Sequence, residues 1–162
     1  MNSFQITDVK KFMSAMLLHD TFDGFTLSEA TVKTAVSFVI DGKINPDFYD
    51  NESDVPSESF IQYGKVRGFF YEIIKGKRTP VYFKFVFHAS GELIEKLLSE
   101  SDTGFTPQDI NSLTLTATFK DGALTVLTGT NLATFSLDKT IDQAWDKYVA
   151  GFLEQLYSNR DT

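Results

Sequence analysis

The sequence of 162 residues contains no cysteine, a single tryptophan and two histidines. Without thiols the chain cannot form disulfides, thiolate-ligated metal sites or a cysteine nucleophile, which fits a reducing, cytoplasmic setting. No apolar run approaches the length that crosses a membrane. Residues 1–20 carry Lys10 and Lys11 in mid-segment and no small-residue cleavage site, so we do not expect a signal peptide.

Motifs that carry chemistry are also missing. The sequence has no G-x-S-x-G, Walker, G-x-G-x-x-G or H-E-x-x-H pattern, and His19 and His88 lie in no metal-ligand motif. The acidic segment 45–59 lacks the spacing and the glycine of an EF-hand loop, which favours a solvated loop over a calcium site. We therefore expect no catalytic residue, no metal and no cofactor. The sequence leaves enzymatic activity open but does not favour it.

Aromatic residues are abundant instead. The 14% aromatic content, with sixteen phenylalanines, predicts a large core in one domain over residues 1–162, with 158–162 as a frayed tail. The net charge of −7 favours a soluble protein. It disfavours non-specific binding to nucleic acid or to an anionic membrane, and we expect no membrane partner.

The segment from Tyr63 to His88 holds the densest aromatic run and the basic cluster of this acidic chain. Residues 61–88 contain six lysines or arginines against one glutamate. Alternation along Val81–His88 predicts a strand with one apolar face. We interpret 69–74 as the partner strand of a hairpin, because that register sends Glu72 outward, and we place a bulge at Gly68.

This hairpin is the candidate binding site. Its outward face and tip would carry the basic side chains of Lys65, Arg67, Lys75, Lys77, Arg78 and Lys84. Such a cluster could bind an anionic partner, namely a nucleic-acid backbone, a phosphorylated ligand or an acidic protein segment. The alternative is that these charges only keep the hairpin soluble and guard a sheet edge.

The stretch Arg67-Gly68-Phe69-Phe70-Tyr71 is similar to the aromatic core motif of RNA-recognition domains. In that motif, strand aromatics stack on nucleic-acid bases. Phe70 stands where the motif has a small residue and Glu72 where it has an aliphatic one, so the match is partial.

The remaining patterns predict an α+β fold. Apolar spacing indicates an N-terminal helix capped by Thr7, a short middle helix capped by Ser90 and a long C-terminal helix from Asp138. Residues 31–40 read as one strand, and Asp41-Gly42 and Asp121-Gly122 as hairpin turns. Because short turns connect the strands, the sheet should be mostly antiparallel, with the helices mainly on one face.

A second functional hypothesis is an enzyme or small-molecule carrier. Its pocket would lie between the sheet and the C-terminal helix, with Trp145 and Tyr148 as lining residues. A sizeable pocket with converging polar groups would favour this hypothesis, and a closed core with an exposed positive face would favour the binding module.

Several segments resemble a small family of uncharacterised proteins from anaerobic Gram-positive bacteria. They are SFQITDVKKFM, LSEAT, FVIDG, IIKGKRTPVYFKFVF and TGTNLATFSLDKTIDQAWDKYV. The resemblance covers nearly the whole chain and implies a single domain in a bacterial cytosol. The family has a domain-of-unknown-function label, so it implies no activity, cofactor or catalytic residue.

Overall fold

The computed structural model describes residues 1–158, which form an antiparallel sheet of seven strands and four α-helices. In chain order the elements are β1 (Ser3–Ile6), α1 (Val9–Leu17), β2 (Thr26–Lys33), β3 (Ser37–Asp41), β4 (Ile61–Gln62), α2 (Arg67–Ile74), β5 (Tyr82–His88), α3 (Gly91–Glu100), β6 (Ile110–Lys120), β7 (Ala123–Leu132) and α4 (Thr140–Ser158). Ser158 is the last residue of α4, and the rest of the predicted frayed tail lies outside the described residues.

The strand order is β1-β7-β6-β5-β2-β3, with β4 beside β2. Every pairing is antiparallel, which confirms the predicted α+β class. The N-terminal, middle and long C-terminal helices are present, but the residue that caps α1 is Asp8 rather than Thr7. Strand β1 was not predicted; its apolar residues Phe4 and Ile6 pair with Val126 and Leu124 of β7.

One face of the sheet forms the core. Phe83, Phe85 and Phe87 of β5 are fully buried, and alternate residues of β6 and β7 continue this apolar face. Helix α2 packs on it through Phe70, whose ring centroid lies 4.7 Å from that of Phe85. Trp145 of α4 is fully buried in the same core.

The predicted central hairpin is wrong in its first arm. Residues 67–74 form helix α2, and only the second arm, β5, is a strand. The helix buries Phe70 and Ile74, four residues apart on one side, and leaves Phe69 and Tyr71 65% and 38% exposed. The strand was predicted because its register keeps Glu72 in water. The helix also exposes Glu72, so this criterion could not distinguish a strand from a helix.

Two consequences follow from that helix. Gly68 is a helical residue rather than a β-bulge. The RNA-recognition motif needs its aromatics on a strand, so the similarity of residues 67–71 to that motif does not extend to structure.

The predicted strand 31–40 is also wrong. A turn at residues 34–36 splits it into β2 and β3. Asp41-Gly42 is not a hairpin turn. The Gly42 N–H donates to the Ser28 carbonyl oxygen at 2.8 Å, so the chain continues its pairing with β2 at this point. By contrast, the predicted turn at Asp121-Gly122 is confirmed: both residues have positive φ, 53° and 77°, as a type I′ turn requires.

Candidate anion-binding surface

The second face of the sheet is partly exposed. Along β5 its side chains are Tyr82, Lys84, Val86 and His88, which alternate with the buried phenylalanines. Threonines occupy the matching positions of the neighbouring strands: Thr31, Thr114, Thr116, Thr118 and Thr125. This open face carries hydroxyls and amines, whereas the opposite face is almost entirely apolar.

Tyr82 lies between two lysines in one cross-strand row. It pairs with Lys33 of β2 on one side and with Lys120 of β6 on the other. Neighbouring strands are about 4.8 Å apart, so the two lysine Cα atoms lie on the order of 10 Å from each other. The Lys33 Nζ lies 4.9 Å from the centroid of the Tyr82 ring, within cation–π range.

The next row adds a third amine. Lys84 pairs with Thr31 and Thr118, and its Nζ lies 3.7 Å from a carboxylate oxygen of Glu29. Both side chains of this ion pair are well exposed, so water screens it and it neutralises Lys84 only partly.

The loop that precedes β5 carries two further exposed cations. The Val81 N–H donates to the Lys33 carbonyl oxygen at 2.9 Å, which joins the end of the loop to β2. Lys77 and Arg78 are exposed in that loop, a few residues before Val81. Lys75 is also exposed but is paired with Glu72, and this hydrogen bond raises the pKa of the lysine.

Lys65 and Arg67 lie at the other end of α2. A helix of this length spans about 12 Å, so these two residues are separated from the loop at Lys77. The Arg67 guanidinium donates to both carboxylate oxygens of Asp23, at 3.0 and 3.1 Å, and this pairing raises its pKa. Arg67 therefore anchors α2 to the turn before β2.

The six predicted site residues are thus divided among three places. The loop holds Lys75, Lys77 and Arg78, the open face holds Lys84, and the start of α2 holds Lys65 and Arg67. Sequence reasoning missed Lys33 and Lys120, the two lysines beside Tyr82. Their local signals were weak: Lys33 follows a β-branched run, and Lys120 precedes the Asp121-Gly122 turn.

The two predicted pocket residues, Trp145 and Tyr148, lie in different surroundings. Trp145 is core, and its indole N–H donates to the Thr114 carbonyl oxygen at 2.8 Å. Tyr148 stacks on Trp145 with ring centroids 5.5 Å apart, and its other side lines a groove between α3 and α4. Burial, and to a smaller extent the Glu100 carboxylate, raises the pKa of Tyr148.

The two cavities of this groove adjoin and share Tyr148 and Phe152. Their volumes are about 260 Å³ and 360 Å³. The larger cavity lies between α3 and α4, and the smaller one is lined by these helices and by residues 21–25 of the turn before β2.

His88 lies at the end of the open face, under the segment that leads into β4. Its ring centroid is 4.7 Å from that of Phe60, and burial lowers its pKa. Within residues 1–158, no three histidine, aspartate or glutamate side chains converge as metal ligands. Among the helices described, none is long and apolar enough to span a bilayer.

Together these features define a class: an α+β protein in which helices cover one face of an antiparallel sheet and leave a threonine- and lysine-bearing face open. The chain belongs to a family of unknown function, DUF5721, whose model matches residues 15–158. That match agrees with the domain-of-unknown-function label that the sequence resemblance implied. No curated protein and no solved structure matches the chain.

Proposed function

We propose that this protein is a non-enzymatic binding module that holds a flexible polyanion, such as single-stranded nucleic acid, on its open sheet face. The proposed surface consists of one aromatic ring, the lysines of the open face and the cations of the loop before β5, namely Tyr82, Lys33, Lys84, Lys120, Lys77 and Arg78. The observation that carries the proposal is the row in which Lys33 and Lys120 flank Tyr82.

Such a row supplies both contacts that a flexible polyanion needs. The half-buried ring of Tyr82 offers a platform on the open face for stacking a base, a contact worth about 1–3 kcal/mol per base. The ammonium groups on either side stand where the flanking phosphates would pass. The hydroxyls of Thr31 and Thr118 in the next row are further hydrogen-bond donors for phosphate or sugar oxygens.

Charge elsewhere on the molecule limits where a polyanion can bind. The chain carries a net charge of −7, so most of its surface repels polyanions and the basic surface is the exception. Glu29 beside Lys84 and Asp121 beside Lys120 reduce the local positive charge. We therefore expect weak binding that falls steeply as salt rises.

The test is a fluorescence-anisotropy titration with a single-stranded RNA and with heparin at low salt. The variant Lys33→Glu/Lys120→Glu should lose binding to both by at least tenfold. Its control, Lys10→Glu/Lys139→Glu, makes the same change in net charge at two exposed lysines outside the sheet, and should bind like the wild type. If the wild type binds neither polyanion, or if both double variants lose binding equally, the proposed surface is wrong.

A further variant separates stacking from charge. Tyr82→Ala should weaken the RNA complex and leave heparin binding unchanged, because heparin has no bases to stack. Equal loss for both ligands would show that Tyr82 only supports the fold of the surface.

The helix groove supports a second candidate function, the carriage of an apolar small molecule. The observation in its favour is that two adjoining cavities share Tyr148 and Phe152. Gly151 lines the larger cavity, and an added Cβ there would meet no atom within 4 Å. A fluorescent apolar dye should bind the wild type but not Gly151→Trp. The control Gly68→Trp, equally unobstructed in α2, should retain the dye, and dye binding by both variants would contradict the groove as its site.

A further inference from the structure

Strand β3 forms one edge of the sheet. It is bonded to β2 on one side, and no strand of the described chain lies on its other side. Its sequence, Ser37–Asp41 (SFVID), contains no proline, lysine or bulge, which are the usual devices that protect an edge from pairing. Val39 is 74% exposed, which is high for an apolar strand residue.

The hydrogen bonds of β2 show which backbone groups of β3 face inward. The Lys33 carbonyl oxygen accepts from Val81, so the polar groups of Lys33 face β5 and not β3. The direction of the backbone N–H and C=O groups alternates from residue to residue along a strand. Those of Val32 therefore point toward β3, and those of its partner Phe38 point toward β2. The N–H of Gly42 donating to Ser28 agrees with this alternation.

The alternate residues of β3 therefore face outward. Ser37, Val39 and Asp41 direct their N–H and C=O groups away from β2, as three donors and three acceptors along an open edge. This row is complementary to itself in the antiparallel direction. With Val39 opposite Val39 of a second copy, Ser37 comes opposite Asp41, and all three pairs can exchange hydrogen bonds.

Side chains agree with the same register. Asp41 meets a serine rather than another carboxylate, so no like charges oppose each other at the edge. On the helix-covered face, Phe38 of one copy would come beside Ile40 of the other. Phe38 is 36% exposed in the single chain, so pairing would remove apolar surface from water.

An apolar patch adjoins the edge on the helix-covered face. A cavity of about 330 Å³ there is lined by Ile40, Ile61, Val66 and Phe48, and Phe48 is 80% exposed. Phe69, also exposed, lies three residues after Val66 and hence on the same side of the chain as it enters α2. A neighbour seated on β3 would extend over this patch, whereas a short peptide strand would leave most of it uncovered.

We propose that β3 is a homodimer interface, in which two copies pair antiparallel about a two-fold axis at Val39 and form one continuous sheet. The interface uses none of the residues of the polyanion surface. The dimer and the proposed function can therefore fail independently.

The test is the mass of the protein in solution by sedimentation equilibrium or light scattering. We expect a dimer of twice the 18.2 kDa chain mass. Val39→Glu and Val39→Lys should each be monomeric, because two like charges would oppose each other on the axis. An equimolar mixture of these two variants should recover the dimer mass, since the charges then attract. The conservative control Val39→Thr should remain a dimer.

A proline substitution in β3 provides a second test of the interface. Val39→Pro removes an outward N–H without removing a bond to β2, and should yield a monomer with an unchanged circular dichroism spectrum. If the wild type is monomeric at submillimolar concentration, the proposal is wrong. It is equally wrong if the wild type is a dimer but Val39→Glu and Val39→Lys alone stay dimeric, because the interface then lies elsewhere.

Discussion

The indole N–H of Trp145 donates to the carbonyl oxygen of Thr114 at 2.8 Å, and this bond links the longest helix to the centre of the sheet. The ring itself is fully buried. Trp145 therefore both fills the core and satisfies a backbone acceptor of β6.

Trp145→Ala should lower the free energy of unfolding by about 3–5 kcal/mol, because it leaves a large cavity and removes the hydrogen bond that joins α4 to β6. Trp145→Phe should cost less, since most of the packing is retained. Urea denaturation followed by circular dichroism measures both. A midpoint for Trp145→Ala equal to that of the wild type would contradict the docking of α4 on the sheet.

Tyr63 links α1 to the segment before α2. Its hydroxyl donates to the Met16 carbonyl oxygen at 2.8 Å inside the core, and burial raises its pKa well above the ordinary value of 10.0. Tyr63→Phe should lower the free energy of unfolding by about 1–2 kcal/mol at neutral pH, because the carbonyl loses its partner.

The same residue makes stability sensitive to alkali. The pKa of Tyr63 is higher in the folded state than in the unfolded state. Its contribution to the free energy of unfolding is therefore complete below pH 10 and is lost as the pH rises further. Tyr63→Phe lacks this group, so its stability should fall less steeply between about pH 9 and 11 than that of the wild type. Parallel urea titrations across that range measure the two slopes, and equal slopes would show that Tyr63 does not contribute.

Arg67 and Asp23 should be energetically coupled. Both side chains are about three-quarters buried, and the guanidinium binds both carboxylate oxygens. A double-mutant cycle with Arg67→Ala and Asp23→Ala should give a coupling energy of about 1 kcal/mol. The exposed pair Lys75–Glu72 is the control and should give no measurable coupling. Equal coupling in the two cycles would refute the anchoring role of Arg67.

Gly42 is required by a close approach of two backbones. A Cβ at this position would lie 1.8 Å from the Leu27 carbonyl oxygen, so Gly42→Ala must displace a strand. We expect a loss of at least about 2 kcal/mol, at the severe end for a single substitution. Gly24→Ala, where an added Cβ meets nothing within 4 Å, is the control and should be nearly neutral. Thermal unfolding of the two variants would decide the point, and similar melting temperatures would contradict it.

Strands, turns and helices that are specified by the pattern of their own residues could be predicted from the sequence. The alternation Phe83, Phe85, Phe87 has one explanation only, a strand with a single buried face. The turn at Asp121-Gly122 was equally clear, because few residues adopt positive φ without strain. The long stripe from Ile141 to Leu156 could be formed only by a helix.

Helix α2 could not be read in the same way. Its sequence, RGFFYEII, has apolar residues at both strand and helical spacing, so the pattern alone allows both conformations. The choice is made by tertiary contacts: Phe70 packs on Phe85 and stacks near Tyr63, and Arg67 binds Asp23. None of these partners is within the segment itself.

The candidate surface shows the same division on a larger scale. From the sequence alone came the class of fold, strand β5, the β6–β7 hairpin, three of the helices and the unusual basic character of residues 61–88. Only the tertiary structure decided that Lys33 and Lys120 flank Tyr82 and that Arg67 faces a carboxylate. The reason is that periodicity reports which face a side chain occupies, whereas strand order and register set its neighbours, and these depend on contacts between residues far apart in the chain.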